Sequence, residues 1–163
     1  AMNKLRTKQT GLAVIEFTIV SSVLLLVLFS IMDAGRYMYT AQILNDITRK
    51  TARMAAVCKV EDKNSMTTLS TITSHAPSQF SVAANLTIDY IGLDGQSVPT
   101  PASNYSAIVF VRATVSNVAY QSFSLLSIFT SSNAFPDFVT EVPVESLGVL
   151  KPTKNRNEST TDC

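Results

Sequence analysis

The chain has 163 residues, a formal net charge of +1, one His, no Trp and two Cys. That length fits one modest domain plus an anchor, and so small a net charge gives no ground for bulk nucleic-acid binding. The charge is unevenly placed: residues 1–11 carry Lys4, Arg6 and Lys8 and no acid, whereas residues 64–150 set Arg112 against Asp89, Asp94, Asp137, Glu141 and Glu145.

From Leu12 to Met32 the sequence is apolar with a single charge, Glu16. About 20 helical residues cross the hydrocarbon core of a bilayer, so the run reads as a transmembrane helix. A cleaved secretory signal has a shorter core and a small-x-small exit, which SIMDAGRY matches poorly. A buried core helix of a soluble protein needs more surrounding chain than is present. Lys4, Arg6 and Lys8 precede the span and predict a cytoplasmic N-terminus. Tyr37 and Tyr39 beyond it fit an interfacial aromatic belt.

Residues 36–57 contain one further glycine-free and proline-free stretch after Gly35. Tyr39, Ile43, Ile47, Thr51 and Met54 recur at helical spacing and predict one mostly apolar face, with Arg49, Lys50 and Arg53 off that stripe. The face serves packing on the chain's own domain, assembly with neighbours, or both. Residues 61–79 are polar and rich in Ser and Thr; Pro77 ends any helix there, and a short helix near Ser65 is expected.

From Phe80 the periodicity changes to two. Leu86, Ile88 and Tyr90 alternate with Asn85, Thr87 and Asp89, and Asp94-Gly95 marks a tight turn. Residues 105–120 form the strongest strand, with Ile108, Phe110 and Arg112 on one face, Val109, Val111, Ala113 and Val115 on the other, and both faces open to being covered. Residues 122–129 read as a short helix or a hydrophobic loop. Residues 138–147 alternate Val139, Val142 and Val144 with acids, and Pro143 confines that strand to an edge.

The expected fold class is α+β, pilin-like: a long N-terminal helix, half transmembrane and half extracytoplasmic, packed on a small antiparallel sheet. The expected segments are a basic leader (1–11), the transmembrane helix (12–32), an extracytoplasmic helix (33–60), a polar connector (61–79), a β-rich domain (80–150) and a polar tail (151–163).

Glu16 needs a reason, because a carboxylate in lipid costs a few kcal/mol and is seldom placed there without a partner. Gly11 offers a peptidase at the cytoplasmic membrane face an unhindered peptide bond. Cleavage after Gly11 would leave Leu12 with a free ammonium. Glu16 lies one helical turn further on and can neutralise that ammonium or a neighbour's, since a close buried pair is tolerated where a lone charge is not. The competing reading is an unpaired Glu16 in the headgroup zone with its carboxylate reaching water.

The basic leader followed by GLAVIEF resembles the processing site of type IV pilin-like proteins, and the pair Glu16-Phe17 resembles the Flp branch. Asp33, Gly35, Arg36, Tyr37, Tyr39, Ala52, Arg53 and Ala55 are similar to the pattern of TadE-like minor pseudopilins of the tight-adherence (Tad) systems, a resemblance that covers residues 4–57 and, more loosely, 113–129. TadE and TadF types are not separated by it. The resemblance implies a bacterial inner-membrane prepilin cut between Gly11 and Leu12 by a dedicated prepilin peptidase. It further implies other pilins and pseudopilins, the inner-membrane assembly platform and membrane lipid as partners, in a pilus used for adhesion and biofilm formation. The major Flp pilin is much smaller, so the extra domain fits a minor component.

Cys58 and Cys163 are candidates for a bridge that ties the chain's last residue to the end of the helix; in the simple entropy model a loop of roughly a hundred residues gives about 4 to 5 kcal/mol. Two unpaired thiols, or an intermolecular bond at Cys163, are the alternatives. No nucleophile–base pattern, phosphate loop or metal-ligand spacing is present in the sequence, and His75 stands alone. The expectation is a non-enzymatic protein with no cofactor, no metal, no catalytic residues and no nucleic-acid partner. An uncleaved, membrane-anchored periplasmic scaffold or binding protein is the alternative.

Overall fold

A computed structural model describes residues 9–68, 70–120, 122 and 134–148. Its first element, α1 (Gln9–Val57), is one continuous helix. After a 3₁₀ turn at Val60–Asp62 come three short helices, α2 (Lys63–Thr67), α3 (Ser70–Thr73) and α4 (Val82–Asn85), and then the strands β1 (Leu86–Ile91), β2 (Phe110–Val115) and β3 (Phe138–Pro143). The strands form an antiparallel sheet in the order β1-β2-β3. The chain divides into two compact units: α1 up to Met38 lies in the first, and the rest of α1 lies with the whole sheet in the second. This is the α+β, pilin-like arrangement expected from the sequence.

In the second unit, α1 covers one face of the sheet. Leu44, Ile47, Thr48, Thr51, Ala52, Ala55 and Ala56 are all buried, and they recur at the three- and four-residue spacing of one helix face. The expected stripe is therefore rotated. Ile47 and Thr51 belong to the buried face, but Tyr39 is 63% exposed and Ile43 and Met54 stand at its border. Small residues at the centre of the face let the helix backbone come close to the sheet, and a reading weighted toward large side chains passes over them.

The core has two parts. Ala55, Ala56 and Cys58 meet Met66, Ile88, Tyr90, Ile108, Val111 and Leu147. Leu44 and Ile47 meet Ile72, Leu86, Val115, Val118 and Phe135. Met66 and Ile72 come from the polar connector, where the expected short helix appears as α2, starting at Lys63.

β1 follows its predicted alternation, with Leu86, Ile88 and Tyr90 buried. The predicted turn after it is present: Gly95 sits at φ +76° and donates to Gly92 O at 3.0 Å, and Asp94 Oδ1 accepts from Gln96 N–H. In β2, Val111, Ala113 and Val115 face the helix. Ile108 is buried with them and not paired with Phe110, because it precedes the strand and leaves a 3₁₀ turn at Tyr105–Ala107 out of phase. The opposite face of β2 is open: Phe110 is 39% exposed, and Arg112 and Thr114 are partly exposed.

Among the described residues β3 pairs with β2 alone, as Pro143 predicts, but it ends at that proline. Val139 is 53% exposed on the open face while Val142 packs toward the core; they are offset by three positions, an odd number, so alternation puts them on opposite faces. Beyond β3 the chain returns to α1. The N–H groups of Glu145, Ser146 and Leu147 approach Ala56 O at 3.3 Å, and Gly148 N–H reaches Val57 O at 2.5 Å. These carbonyls are among the last of a helix, which have no partner within it.

The residue joining α4 to the sheet is Asn85, which is buried. Its Oδ1 accepts from Ser81 N–H at 2.8 Å, and its Nδ2 donates to Ser116 O and Asn117 O, both at 2.9 Å. Lys63 Nζ donates to Ile88 O at 2.7 Å and so engages a carbonyl of the edge strand β1.

Candidate membrane and assembly site

The apolar part of α1 is exposed on every side. Leu12 (71%), Phe17 (74%) and Met32 (65%) mark its two ends, and the large side chains between them are open as well. None of the large apolar side chains of this stretch is buried. By length and composition it is a helix that can cross a membrane.

The polar residues of this stretch are compatible with lipid because they spend their hydroxyls locally. Thr18 Oγ1 donates to Val14 O and Ser30 Oγ to Leu26 O, both at 2.8 Å, and Ser22 Oγ donates to Ile19 O at 2.8 Å. Ser21 Oγ donates to Thr18 O at 3.1 Å. A hydroxyl bonded to a carbonyl of its own helix leaves no unmet donor in hydrocarbon.

Glu16 is an exposed residue of this helix, four positions after Leu12, hence about 6 Å along the axis. Gly11 and Leu12 lie inside α1, and a Cβ at Gly11 would meet nothing within 4 Å. The residues proposed for cleavage and charge pairing thus sit on one helix end, with Gly11 unobstructed. Lys4, Arg6 and Lys8 lie outside the described residues.

At the far end of the span the surroundings change. Asp33 is 4% exposed, Arg36 is exposed, and Tyr37 is 36% exposed; each of the three has an interaction partner. The burial of Asp33 is not visible in the sequence, which shows only a polar residue at the end of an apolar run.

Cys58 follows α1 directly, is 3% exposed and is disulfide-bonded. Cys163, and the stretch 122–129 apart from Ser122, lie outside the described residues. Among the described residues, no cluster of His, Cys, Asp or Glu has the makings of a metal site.

The helix therefore joins a membrane-compatible segment to a face that packs on a sheet, and the comparison with known families falls on that stretch. Residues 11–53 match the family model of TadE-like proteins. The match starts at Gly11, runs through the apolar segment and the Asp33–Tyr39 region, and ends at Arg53. It agrees with the sequence resemblance to a TadE-like protein of the Tad pilus system. No curated protein and no solved structure gives a significant match to the chain. The sheet lies outside the TadE-like segment, which covers 43 of the 163 residues.

Proposed function

We propose that this chain is a minor pseudopilin of a Tad/Flp pilus, acting by assembly and not by catalysis. The observation that carries the reading is the TadE-like match over residues 11–53, which starts at Gly11 and takes in the exposed apolar stretch of α1 with Glu16. In this reading the basic leader stays in the cytoplasm, the helix is held in a bacterial inner membrane, and the sheet-bearing unit lies in the periplasm. A prepilin peptidase cuts between Gly11 and Leu12. Glu16 then neutralises the new Leu12 ammonium, its own or that of a neighbouring pilin, as the subunit leaves the membrane. Phe17 packs in the same contact, and the inner-membrane platform drives the step. The β-rich domain serves initiation or adaptation of an adhesion pilus. Cys58 pairs with Cys163 in the oxidising compartment, which non-reducing peptide mapping tests.

A specific observation favours a second reading. The Gly11–Leu12 bond lies within α1, and a protease needs it extended, so an uncleaved anchored scaffold fits the helical geometry better. Intact-mass and N-terminal analysis of the protein from cells with and without the cognate prepilin peptidase decides between the two. An N-terminus at Leu12 that depends on the peptidase supports the pseudopilin. A chain that retains the leader in both strains overturns it.

A further inference from the structure

We infer that the open face of the sheet receives the Arg49–Arg53 side of α1 from a second copy of this chain, so that copies join back to front. The inference goes beyond the pilus reading, because it rests on the folded second unit alone and requires no cleavage.

Two surfaces carry it. The first is the open sheet face. Arg112 sits at its centre in β2, opposite Glu141 of β3 and Asp89 of β1. Arg112 Nε donates to Glu141 Oε1 at 2.5 Å, whereas the Asp89 carboxylate has no ion-pair partner among the described residues. Strands lie about 4.8 Å apart, which puts the two carboxylate-bearing positions roughly 10 Å from each other across the arginine. Phe110 on one side of this row and Val139 on the other are exposed hydrophobics. The charged row is therefore acidic on balance and flanked by apolar surface.

The second surface is the side of α1 turned away from the sheet. Asp46, Arg49, Lys50 and Arg53 are exposed there. Lys50 Nζ pairs with Asp46 Oδ2 at 2.7 Å, which leaves Arg49 and Arg53 without an ion-pair partner among the described residues. They lie one helical turn apart, about 6 Å along the axis. Val57, one more turn on, is 39% exposed. Two guanidinium groups without an ion-pair partner, beside an apolar residue, thus oppose in sign and in make-up the Asp89 carboxylate, which lies diagonal to Phe110, on a face whose far strand exposes Val139. Arginine suits this use, since its planar fork binds carboxylates in two-pronged fashion and stacks on aromatic rings.

The two surfaces lie on opposite sides of the same helix-on-sheet unit. A contact between different patches is heterologous, and unless its rotation closes a ring it continues as an open series. Charge complementarity of this kind acts on encounter and register more than on raw affinity, so crowding within a membrane plane would favour it.

The test places the photo-crosslinker benzoylphenylalanine at position 139 of the full chain, reconstituted in vesicles of neutral lipid. Irradiation is followed by mass mapping of the crosslinked species. A dimer whose second peptide contains residues 49–53 is the expected result. Its yield should fall on the order of tenfold with Arg49→Glu plus Arg53→Glu, because like charges then face each other. Crosslinking of position 139 to position 139 would show a symmetric face-to-face pair and overturn the inference. So would the absence of any dimer, or a yield unchanged by the double charge reversal.

Discussion

Gly148 N–H donates to Val57 O at 2.5 Å, so a residue beyond the last strand closes the end of the first helix. Gly148 stands at φ +78°, and a Cβ there would fall 2.9 Å from Lys59 N. Both the backbone conformation and the close approach therefore call for glycine. Gly148→Ala is expected to cost about 1 to 3 kcal/mol, read as a lower melting temperature. A wild-type melting temperature would show that this junction adds little.

Thr48 and Thr51 are both fully buried on the sheet side of α1, but they differ in their hydrogen bonding. Thr48 Oγ1 donates to Asn45 O at 2.7 Å, while Thr51 Oγ1 has no hydrogen-bond partner among the described residues. A buried unsatisfied hydroxyl carries a penalty of about 1 to 3 kcal/mol, which a methyl of the same shape avoids. Thr51→Val should therefore leave stability unchanged or raise it, and Thr48→Val should not raise it. Parallel thermal melts of the two variants check the contrast.

Asn85 makes three hydrogen bonds that tie the turn before β1 to the segment leaving β2. Truncation leaves Ser81 N–H, Ser116 O and Asn117 O without that partner. Asn85→Ala should destabilise by about 2 to 3 kcal/mol, with the earliest amide exchange appearing at residues 81–86 and 116–118. Hydrogen exchange followed by mass spectrometry locates the effect.

Tyr90 is 3% exposed, and its hydroxyl has no hydrogen-bond partner among the described residues. Burial pushes its pKa up to about 12, with the neighbouring Tyr105 adding to the rise. The unfolded chain therefore loses this proton near its ordinary value of about 10, while the folded chain keeps it. The stability contribution is whole below pH 10 and is lost as pH rises toward 12. Tyr90→Phe should make the fall in stability over that window shallower than in wild type, in denaturant titrations at stepped pH. Equal slopes would mean that Tyr90 does not titrate with unfolding.

The assignment of Gly11 and Glu16 separates into two phenotypes. Gly11→Ala should reduce leader removal. Glu16→Ala should leave leader removal largely intact and impair assembly, since the proposed pairing with the Leu12 ammonium would follow cleavage. Normal piliation in the Glu16 variant would count against the pairing role.

The parts of this fold that were legible in the sequence are those written in local patterns. The apolar run from Leu12, the alternation of Leu86, Ile88 and Tyr90, and the Asp94-Gly95 turn each signal themselves within a few residues. The face of α1 was less legible, because Thr48, Ala52, Ala55 and Ala56 carry it with small side chains whose value lies in close approach and not in hydrophobicity. Ile108 and Val139 misled because strand periodicity holds only inside the strand and only at even spacing. The closure of α1 by residues 145–148 depends on tertiary contacts, which no short window of sequence contains. For the membrane and assembly site, the residue types and their spacing were readable, and the helical setting of the Gly11–Leu12 bond was not.

The closure at Val57 also sets an order of events during biosynthesis. The carbonyls at the end of α1 are satisfied by residues made roughly 90 positions later, and contacts so distant in sequence reward the chain only after the intervening loop has been ordered. Until Gly148 has emerged, the nascent domain keeps open carbonyls and an uncovered core under Ala55 and Ala56, although its anchoring helix is already complete. Maturation of the domain is therefore a late step, and a chain stopped short of residue 148 would be held by its helix with its sheet-bearing unit unfinished.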